Sequence, residues 1–320
     1  MNQCASFNRK IFAINKKINI KKNRQYDRIT LSVRPMEMKY QMESSMKSRI
    51  SSSIFLFALI TPAFASYTPI ESASNTAPGR FYIGAFGGGG SSNNFNGSQL
   101  GSAFFPEVSG GPLSVNAFGQ LHSQSTSFFG AQLGYLAQEI ALKSSSQWTL
   151  GSAIELEGYM MSNSSLNGTL INNTERLVEQ NFVVSYPMNR TVFLANAVLN
   201  FNNPRLLVHP YIGFGIGNAI ARISGASATQ TNPPEEGINH YNTNPSDTNS
   251  AFAGQIKLGF SYDINKYVSL FAEYRWLYLA STHFVFGSTV FPSHVETSSW
   301  QVKLDSQRYN LGNIGVRFNL

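Results

Sequence analysis

Apolar and polar residues alternate with a period of two in eight segments of the chain, and no segment has a convincing amphipathic-helix pattern. In segment 251–263, Phe252 and Leu258 fall on one face, whereas Gln255 and Lys257 fall on the other. The eight segments are 80–90, 126–138, 149–161, 190–201, 207–222, 251–263, 267–280 and 306–320. Each reaches or exceeds the ~9–11 residues that a tilted strand needs to cross a bilayer. An apolar face opposite a small or polar face is typical of transmembrane β-barrels.

The connections between these segments alternate between long and short. The long ones are 91–125, 162–189, 223–250 and 281–305, and the short ones are 139–148, 202–206 and a tight turn at 263–266. Long connections therefore fall on one rim and short ones on the other, as in outer-membrane barrels. The sequence predicts an all-β fold, an eight-stranded antiparallel up-and-down transmembrane β-barrel with four long extracellular loops and short periplasmic turns.

The alternation continues to the last residue. Ile314, Val316, Phe318 and Leu320 share one face. A soluble protein rarely ends on such a strand, because its free edge would recruit other strands. In a closed barrel the last strand pairs with the first, which removes the edge. We therefore expect the two terminal strands of the barrel to be neighbours.

The C-terminal strand resembles the assembly signal of bacterial outer-membrane barrels. Asn313, Gly315, Phe318 and Leu320 fill its four places, with Leu320 standing where the family usually has Phe. Residues 80–320 as a whole resemble the small barrels typified by the OmpA transmembrane domain and the opacity-like proteins. The same resemblance is carried by PYIGFGIG at 210–217 and FAEYRW at 271–276. It implies a Gram-negative outer membrane, surrounding lipid and lipopolysaccharide, and partners in the barrel-assembly machinery and the periplasmic chaperones.

The front of the chain predicts export. Residues 46–65 have the pattern of a Sec-type signal peptide, in which Lys47 precedes an apolar stretch and Ala63 and Ala65 form the cleavage box. Residues 1–45 are interpreted as an over-extended start or a disordered basic segment. Residues 66–79 are interpreted as a periplasmic linker that leads into the barrel at 80–320.

Charge and cysteine content both change once this front part is set aside. The whole chain has a formal net charge of +7, but residues 1–65 hold 12 Lys and Arg against 3 Asp and Glu. Residues 66–320 hold 12 basic and 14 acidic residues, so the predicted mature protein is slightly acidic and no nucleic-acid partner is expected. The only cysteine, Cys4, lies in the front part, so the barrel must be stable without disulfides.

Six charged residues fall on the inward face by alternation, three of them acidic and three basic. They are Glu155, Glu157, Lys257, Glu273, Arg275 and Arg317. An eight-stranded barrel is just wide enough inside for side chains, and buried charges must be paired. We therefore predict a structural ion-pair network in the lumen. A catalytic pair formed by Glu155 and Glu157 and a gated narrow pore are the alternatives.

No catalytic residue, cofactor site or metal site is predicted, and the chain is not expected to be an enzyme. A His-x-Ser element like that of the outer-membrane lipid A deacylases is missing. The five histidines, His122, His209, His240, His283 and His294, lack metal-ligand spacing, and those in loops are interpreted as solvated. The main functional hypothesis is a structural or adhesin-like role, in which the long loops contact host surface molecules. The alternative is a narrow passive pore or small-solute transporter.

Overall fold

The computed structural model describes residues 79–142, 147–174 and 176–320. The predicted signal peptide with Ala63 and Ala65, the segment 1–45 and nearly all of the predicted linker lie outside the described residues. Among those described, no helix is long and apolar enough to cross a membrane. The strands are β1 (Arg80–Ser92), β2 (Phe95–Ala103), β3 (Leu113–Leu121), β4 (Ser125–Leu136), β5 (Ile140–Ala141), β6 (Thr149–Asn172), β7 (Gln180–Asn202), β8 (Val208–Ser224), β9 (Ser227–Asn232), β10 (Ser246–Asp263), β11 (Val268–Leu279), β12 (Thr282–Phe286), β13 (Trp300–Leu304) and β14 (Gln307–Asn319), with one 3₁₀ turn at Glu107–Ser109.

Eight of these strands close into one antiparallel barrel. Going around it, the order is β1, β4, β6, β7, β8, β10, β11 and β14, and β14 pairs again with β1. Ile83 on β1 is thus opposite Leu133 on one side and Phe318 on the other. The predicted fold class and the predicted pairing of the terminal strands are both confirmed. Each of the eight predicted segments corresponds to one of these strands.

The outer face of the barrel is apolar because large aliphatic and aromatic residues occupy the outward positions of its strands. Ile314 is 71% exposed and Phe129 is 66% exposed, and Phe214, Phe260 and Ile154 are also more than half exposed. Small residues on the inward face make room for large neighbours. A Cβ at Gly259, for example, would lie only 2.5 Å from Cζ of Tyr211. This arrangement gives an apolar belt outside and a filled interior.

Beyond the belt, the strands continue where long loops were expected. A second stretch of sheet runs in the order β12, β13, β2, β3, β6, β7 and β9, using the distal parts of β6 and β7. We call this part the extension. The predicted loops are therefore mostly hairpins, which end in four tips at 104–112, 173–179, 233–245 and 287–299. The reason is that hairpins pair their own backbone amides, which a long open loop cannot do.

The extension has a seam between its edge strands β9 and β12, and the tip 233–245 covers it. On the β9 side, His240 N donates to Ala228 O at 2.9 Å. On the β12 side, Gly287 N donates to Asn244 O at 2.8 Å. The tip thus satisfies backbone groups that two exposed sheet edges would leave free.

The polarity of the two faces inverts between barrel and extension. In the extension the inward residues are apolar, with Phe182, Phe284, Trp300 and Leu304 fully buried in one core, and outward residues such as Thr169 are exposed. In the barrel the outward residues are apolar, and the inward side holds charged residues together with buried aromatic and aliphatic side chains. Hydrocarbon favours an apolar exterior and water a polar one. The inversion therefore marks the outer boundary of the membrane.

At six places where the chain passes between barrel and extension, a short break in the strand changes by one residue which side chains face inward. Along β11 and β12, the even-numbered apolar residues Leu270 and Tyr274 point outward, whereas Phe284 and Phe286 point inward. The apolar residues stay at even-numbered positions along the sequence. After the break between Leu279 and Thr282, however, the even-numbered side chains face inward instead of outward. The same one-residue change of face separates Ser92 from Phe95, Leu121 from Thr126, Met161 from Ser164, Ile223 from Ala226 and Leu304 from Gln307.

This boundary predicts that an arginine substitution on the outer face of β6 is costly in the barrel and nearly neutral in the extension. Leu156→Arg places a charge on the belt, and we expect it to lower the free energy of unfolding by about 2–4 kcal/mol. Thr169→Arg, on the outer face of the extension, should change it by no more than about 0.5 kcal/mol. Urea unfolding of the two variants in lipid bilayers measures the difference. Equal losses would contradict the assignment of the boundary.

Candidate functional site

The six predicted lumen charges all lie inside the barrel. Glu155, Lys257 and Arg275 have no exposed surface, and Glu157, Glu273 and Arg317 are at most 8% exposed. The register brings them to one level, because Lys257 on β10 is directly opposite Arg275 on β11. We call these six residues the lumen network.

Each basic group in the centre of the lumen network contacts more than one carboxylate. Lys257 Nζ contacts Glu155 directly and lies 3.4 Å from Glu157 Oε2 and 3.6 Å from Glu273 Oε1. The Arg275 guanidinium contacts Glu157, and its Nε donates to Glu273 Oε2 at 2.8 Å. Arg317 is more peripheral, with Nη2 3.9 Å from Glu155 Oε2. Sharing the carboxylates in this way compensates every central charge.

Neutral side chains donate further hydrogen bonds to the carboxylates. Tyr82 Oη donates to Glu155 at 2.8 Å, and Tyr211 Oη donates to Glu273 at 2.7 Å. Asn196 Nδ2 donates to both Glu155 and Glu157, at 3.2 and 3.0 Å. Alternation within 190–201 and 207–222 places Asn196 and Tyr211 on the inward face but predicts no partner for them, because it gives the face of a residue and not its neighbours around the barrel.

Aromatic rings pack against the lumen network. Arg275 Cζ lies 4.2 Å from the ring centroid of Phe86, and the ring of Phe86 packs edge-on against those of Phe128, Tyr159 and Phe271. Cation–π contact of this kind stabilises a desolvated guanidinium. The apolar core of the extension follows above this layer. Charged, aromatic and aliphatic layers thus fill the interior one after another.

The four residues that resemble an assembly signal do not share one face of the C-terminal strand. Asn313 points inward and donates to Glu273 Oε2 at 3.2 Å, whereas Phe318 and Leu320 point outward and are 44% and 74% exposed. A Cβ at Gly315 would lie 2.3 Å from Cζ of Phe271, so this glycine makes room for the aromatic layer. Recognition of the strand by an assembly machinery stays a prediction.

A second cluster of titratable groups lies at the seam of the extension. Glu235 Oε2 is 3.3 Å from His240 Nε2 and 3.4 Å from His294 Nε2. The prediction that loop histidines are solvated is wrong for His240, which is only 2% exposed. Sequence reasoning missed this cluster because its members come from two different tips, 233–245 and 287–299, with no spacing to connect them.

Electrostatics tie the three members of this cluster together. Partial burial acts to raise the pKa of the Glu235 carboxyl, but the facing imidazoles of His240 and His294 outweigh it and hold that pKa at about 2. The Glu235 carboxylate in turn raises the pKa of His294 above its ordinary value. Glu235 is therefore an anion in the native state near neutral pH.

A closed barrel with an apolar belt and a charged interior defines the protein as an outer-membrane β-barrel. Residues 169–320 match a protein family described as surface antigen. That description names no enzymatic activity. No curated protein sequence matches the chain.

Solved structures of outer-membrane proteins are similar to the chain over most of its length. Neisserial surface protein A is 16% identical, with a TM-score of 0.30, and the match covers 76% of this chain and 99% of that one. OprG from Pseudomonas aeruginosa is 12% identical, with a TM-score of 0.35, over 75% of this chain and 96% of that one.

The lumen network predicts a large effect of removing one carboxylate. In Glu273→Ala, Arg275 and Lys257 lose a shared partner, and we expect the free energy of unfolding to fall by about 3–5 kcal/mol. Heat-modifiable gel mobility and thermal unfolding in detergent measure the loss. Glu296→Ala, at an exposed position in a tip, is the matched control. Equal melting of the two variants would contradict a structural role for the network.

Proposed function

We propose that the protein is a non-conducting surface barrel, which anchors the extension in the outer membrane and presents its tips to molecules outside the cell. The observation that carries this proposal is the filled interior. Its expected partners are lipid and lipopolysaccharide around the belt, the assembly machinery and periplasmic chaperones during biogenesis, and host surface molecules at the tips. Export by a Sec-type signal peptide belongs to the same proposal.

The filled interior argues against passage of solutes. A solute crossing the barrel would meet the lumen network, then the aromatic ring of Phe86 with its neighbours, then the buried core around Trp300. Separating Lys257 and Arg275 from their carboxylates would leave uncompensated charges in a medium of low dielectric constant, which costs several kcal/mol. The same contacts occupy Glu155 and Glu157, so neither has a free face to act on a substrate.

Arg176 joins its own tip to the tip at 104–112 by hydrogen bonds. Its guanidinium donates to four backbone carbonyls, those of Ser109, Gly110, Gly111 and Pro112, at 2.8 to 3.3 Å. Gly110 and Gly111 make this convergence possible, because both adopt positive φ angles, of 93° and 70°. Arg176 Cζ also lies 5.8 Å from the centroid of the Phe105 ring.

This joined surface exposes apolar side chains at the far end of the extension. Val108 is 96% exposed, Val178 is 67% exposed and Phe104 is 50% exposed. Exposed apolar groups on a polar background are typical of protein-binding surfaces. A surface that is already ordered loses less conformational entropy on binding. Both features favour contact with a partner over passive shielding of the membrane.

The proposal predicts that the protein does not conduct ions across a lipid bilayer. The purified protein in planar lipid bilayers should produce no reproducible single-channel steps, because the interior offers no continuous aqueous path. A general porin reconstituted in the same bilayers is the positive control. Reproducible steps in the wild type that change in Arg275→Gln would instead establish the alternative, a narrow pore or small-solute transporter.

A second prediction concerns the joined tips. Arg176→Gln removes the charged hydrogen bonds to the four carbonyls, so binding of nanodisc-embedded protein to cultured epithelial cells should fall severalfold while barrel melting stays unchanged. Arg205→Gln, in the exposed periplasmic turn, is the control and should bind as the wild type does. Equal binding by both variants, or no binding by the wild type, would contradict a role of these tips in adhesion.

A further inference from the structure

The donor atoms at the seam of the extension converge on one point from two separate tips. Glu235 Oε2 lies within 3.3 Å of His240 Nε2 and within 3.4 Å of His294 Nε2, and all three donor atoms lie within 4.8 Å of one another. A tetrahedral Zn²⁺ with ligands at ~2.0–2.1 Å separates its ligand atoms by about 3.3 Å. Two of the three separations in this cluster therefore already equal those of a tetrahedral site.

The remaining ring nitrogens have backbone acceptors. His240 Nδ1 lies 2.9 Å from Ala228 O, and His294 Nδ1 lies next to Val295 O. A carbonyl oxygen only accepts hydrogen bonds, so each Nδ1 must carry the proton. In the neutral imidazole each Nε2 then carries the lone pair, and both Nε2 atoms lie within 3.4 Å of the Glu235 carboxylate. Metal-binding histidines in proteins are oriented in the same way by an outer carbonyl.

The surroundings of His240 hold its ring in place. Phe182 packs perpendicular to it with centroids 5.2 Å apart, and Trp300 lies 5.9 Å away. Thr289 Oγ1 donates to His240 O at 2.9 Å and accepts from Trp300 Nε1 at 3.2 Å. The apolar rings exclude water from one side of the cluster, and a fixed ligand loses little freedom when it binds an ion.

From this geometry we propose that Glu235, His240 and His294 form a binding site for a divalent transition-metal ion of the Zn²⁺ class. Two imidazole nitrogens and one carboxylate oxygen are a ligand set that such ions prefer. Glu235 and His294 keep 26% and 14% of their side-chain surface exposed. The cluster is therefore accessible to water, which could supply a fourth ligand.

The position of the site gives the ion a structural consequence. Glu235 and His240 belong to the tip that covers the seam between β9 and β12, and His294 belongs to the tip that follows β12. A bound ion would join the two tips by coordinate bonds, in a place where the sheet itself has no continuous ladder. Binding should therefore stabilise the outer end of the extension without altering the barrel.

Titration of the refolded, untagged full chain in detergent with Zn²⁺ tests the proposal. Calorimetry should show one saturable equivalent, and Co²⁺ in its place should give the visible absorption of a tetrahedral complex. Glu235→Gln and His294→Ala should each weaken Zn²⁺ binding by at least the 10–100-fold typical of losing even an outer-shell partner. His283→Ala, an exposed histidine on β12, should bind like the wild type.

A second readout separates a specific site from surface adsorption. Zn²⁺ should slow amide hydrogen exchange in 233–245 of the wild type and of His283→Ala, but not of His294→Ala. No saturable binding by the wild type would overturn the proposal and leave the cluster as an imidazolium–carboxylate ion pair. Zn²⁺ binding by Glu235→Gln and His294→Ala as tight as that of the wild type, or loss of binding in His283→Ala, would overturn it as well. If His294→Ala does not fold, the nearly isosteric Glu235→Gln carries the test.

Discussion

Closure of the backbone ladder is the constraint on which the rest of this structure depends. In hydrocarbon no water can satisfy an amide, so each N–H and C=O of the belt must pair with a neighbouring strand. The pairing of β1 with β14 completes the circle and fixes the number of strands at eight. That number sets a narrow interior. The interior must then be filled by the inward half of every strand, whatever those residues are.

The charges in the lumen are compensated within one level of the barrel. Large apolar residues occupy the outward positions of the belt, whereas the inward positions hold charged residues together with aromatic and aliphatic side chains. Three acids and three bases placed at one level can neutralise one another, and Tyr82, Tyr211 and Asn196 supply further donors. A buried ion-pair network rarely adds much net stability compared with an apolar core. Its value here lies in registration, because Lys257 and Arg275 find all their partners only when β6, β10 and β11 are correctly aligned.

Alternation alone was sufficient to predict the barrel and the level of the charges. The eight segments, the neighbouring termini and the inward direction of residues such as Glu155 and Arg275 all follow from parity along a strand. The same alternation also explains why the change of face between barrel and extension was not predicted. The even-numbered apolar set of β11 and β12 continues without interruption in the sequence, so nothing in the pattern shows that Leu270 faces lipid and Phe284 faces a core. The break at Ala280 and Ser281, which decides this, carries only two small residues.

The contact between Glu235, His240 and His294 could not be found from sequence for a different reason. His240 is placed by the backbone bond between its own N–H and Ala228 O, and His294 is placed by a tip on another hairpin. Their meeting depends on how two edge strands, β9 and β12, approach without pairing. Such a seam is a property of the closed extension as a whole, and no local spacing encodes it.

The barrel and the extension must both satisfy their backbone hydrogen-bonding groups, but the barrel does so in lipid and the extension in water. In the barrel, hydrogen bonding is complete around the circle, so the interior can be polar and the exterior can dissolve in lipid. In the extension, water can satisfy an open edge, so the circle need not close and stability must come from an apolar core around Trp300 and Phe284. The seam is tolerated for that reason, and the tip 233–245 bonds to both of its sides. This is where the structure brings a carboxylate and two imidazoles together.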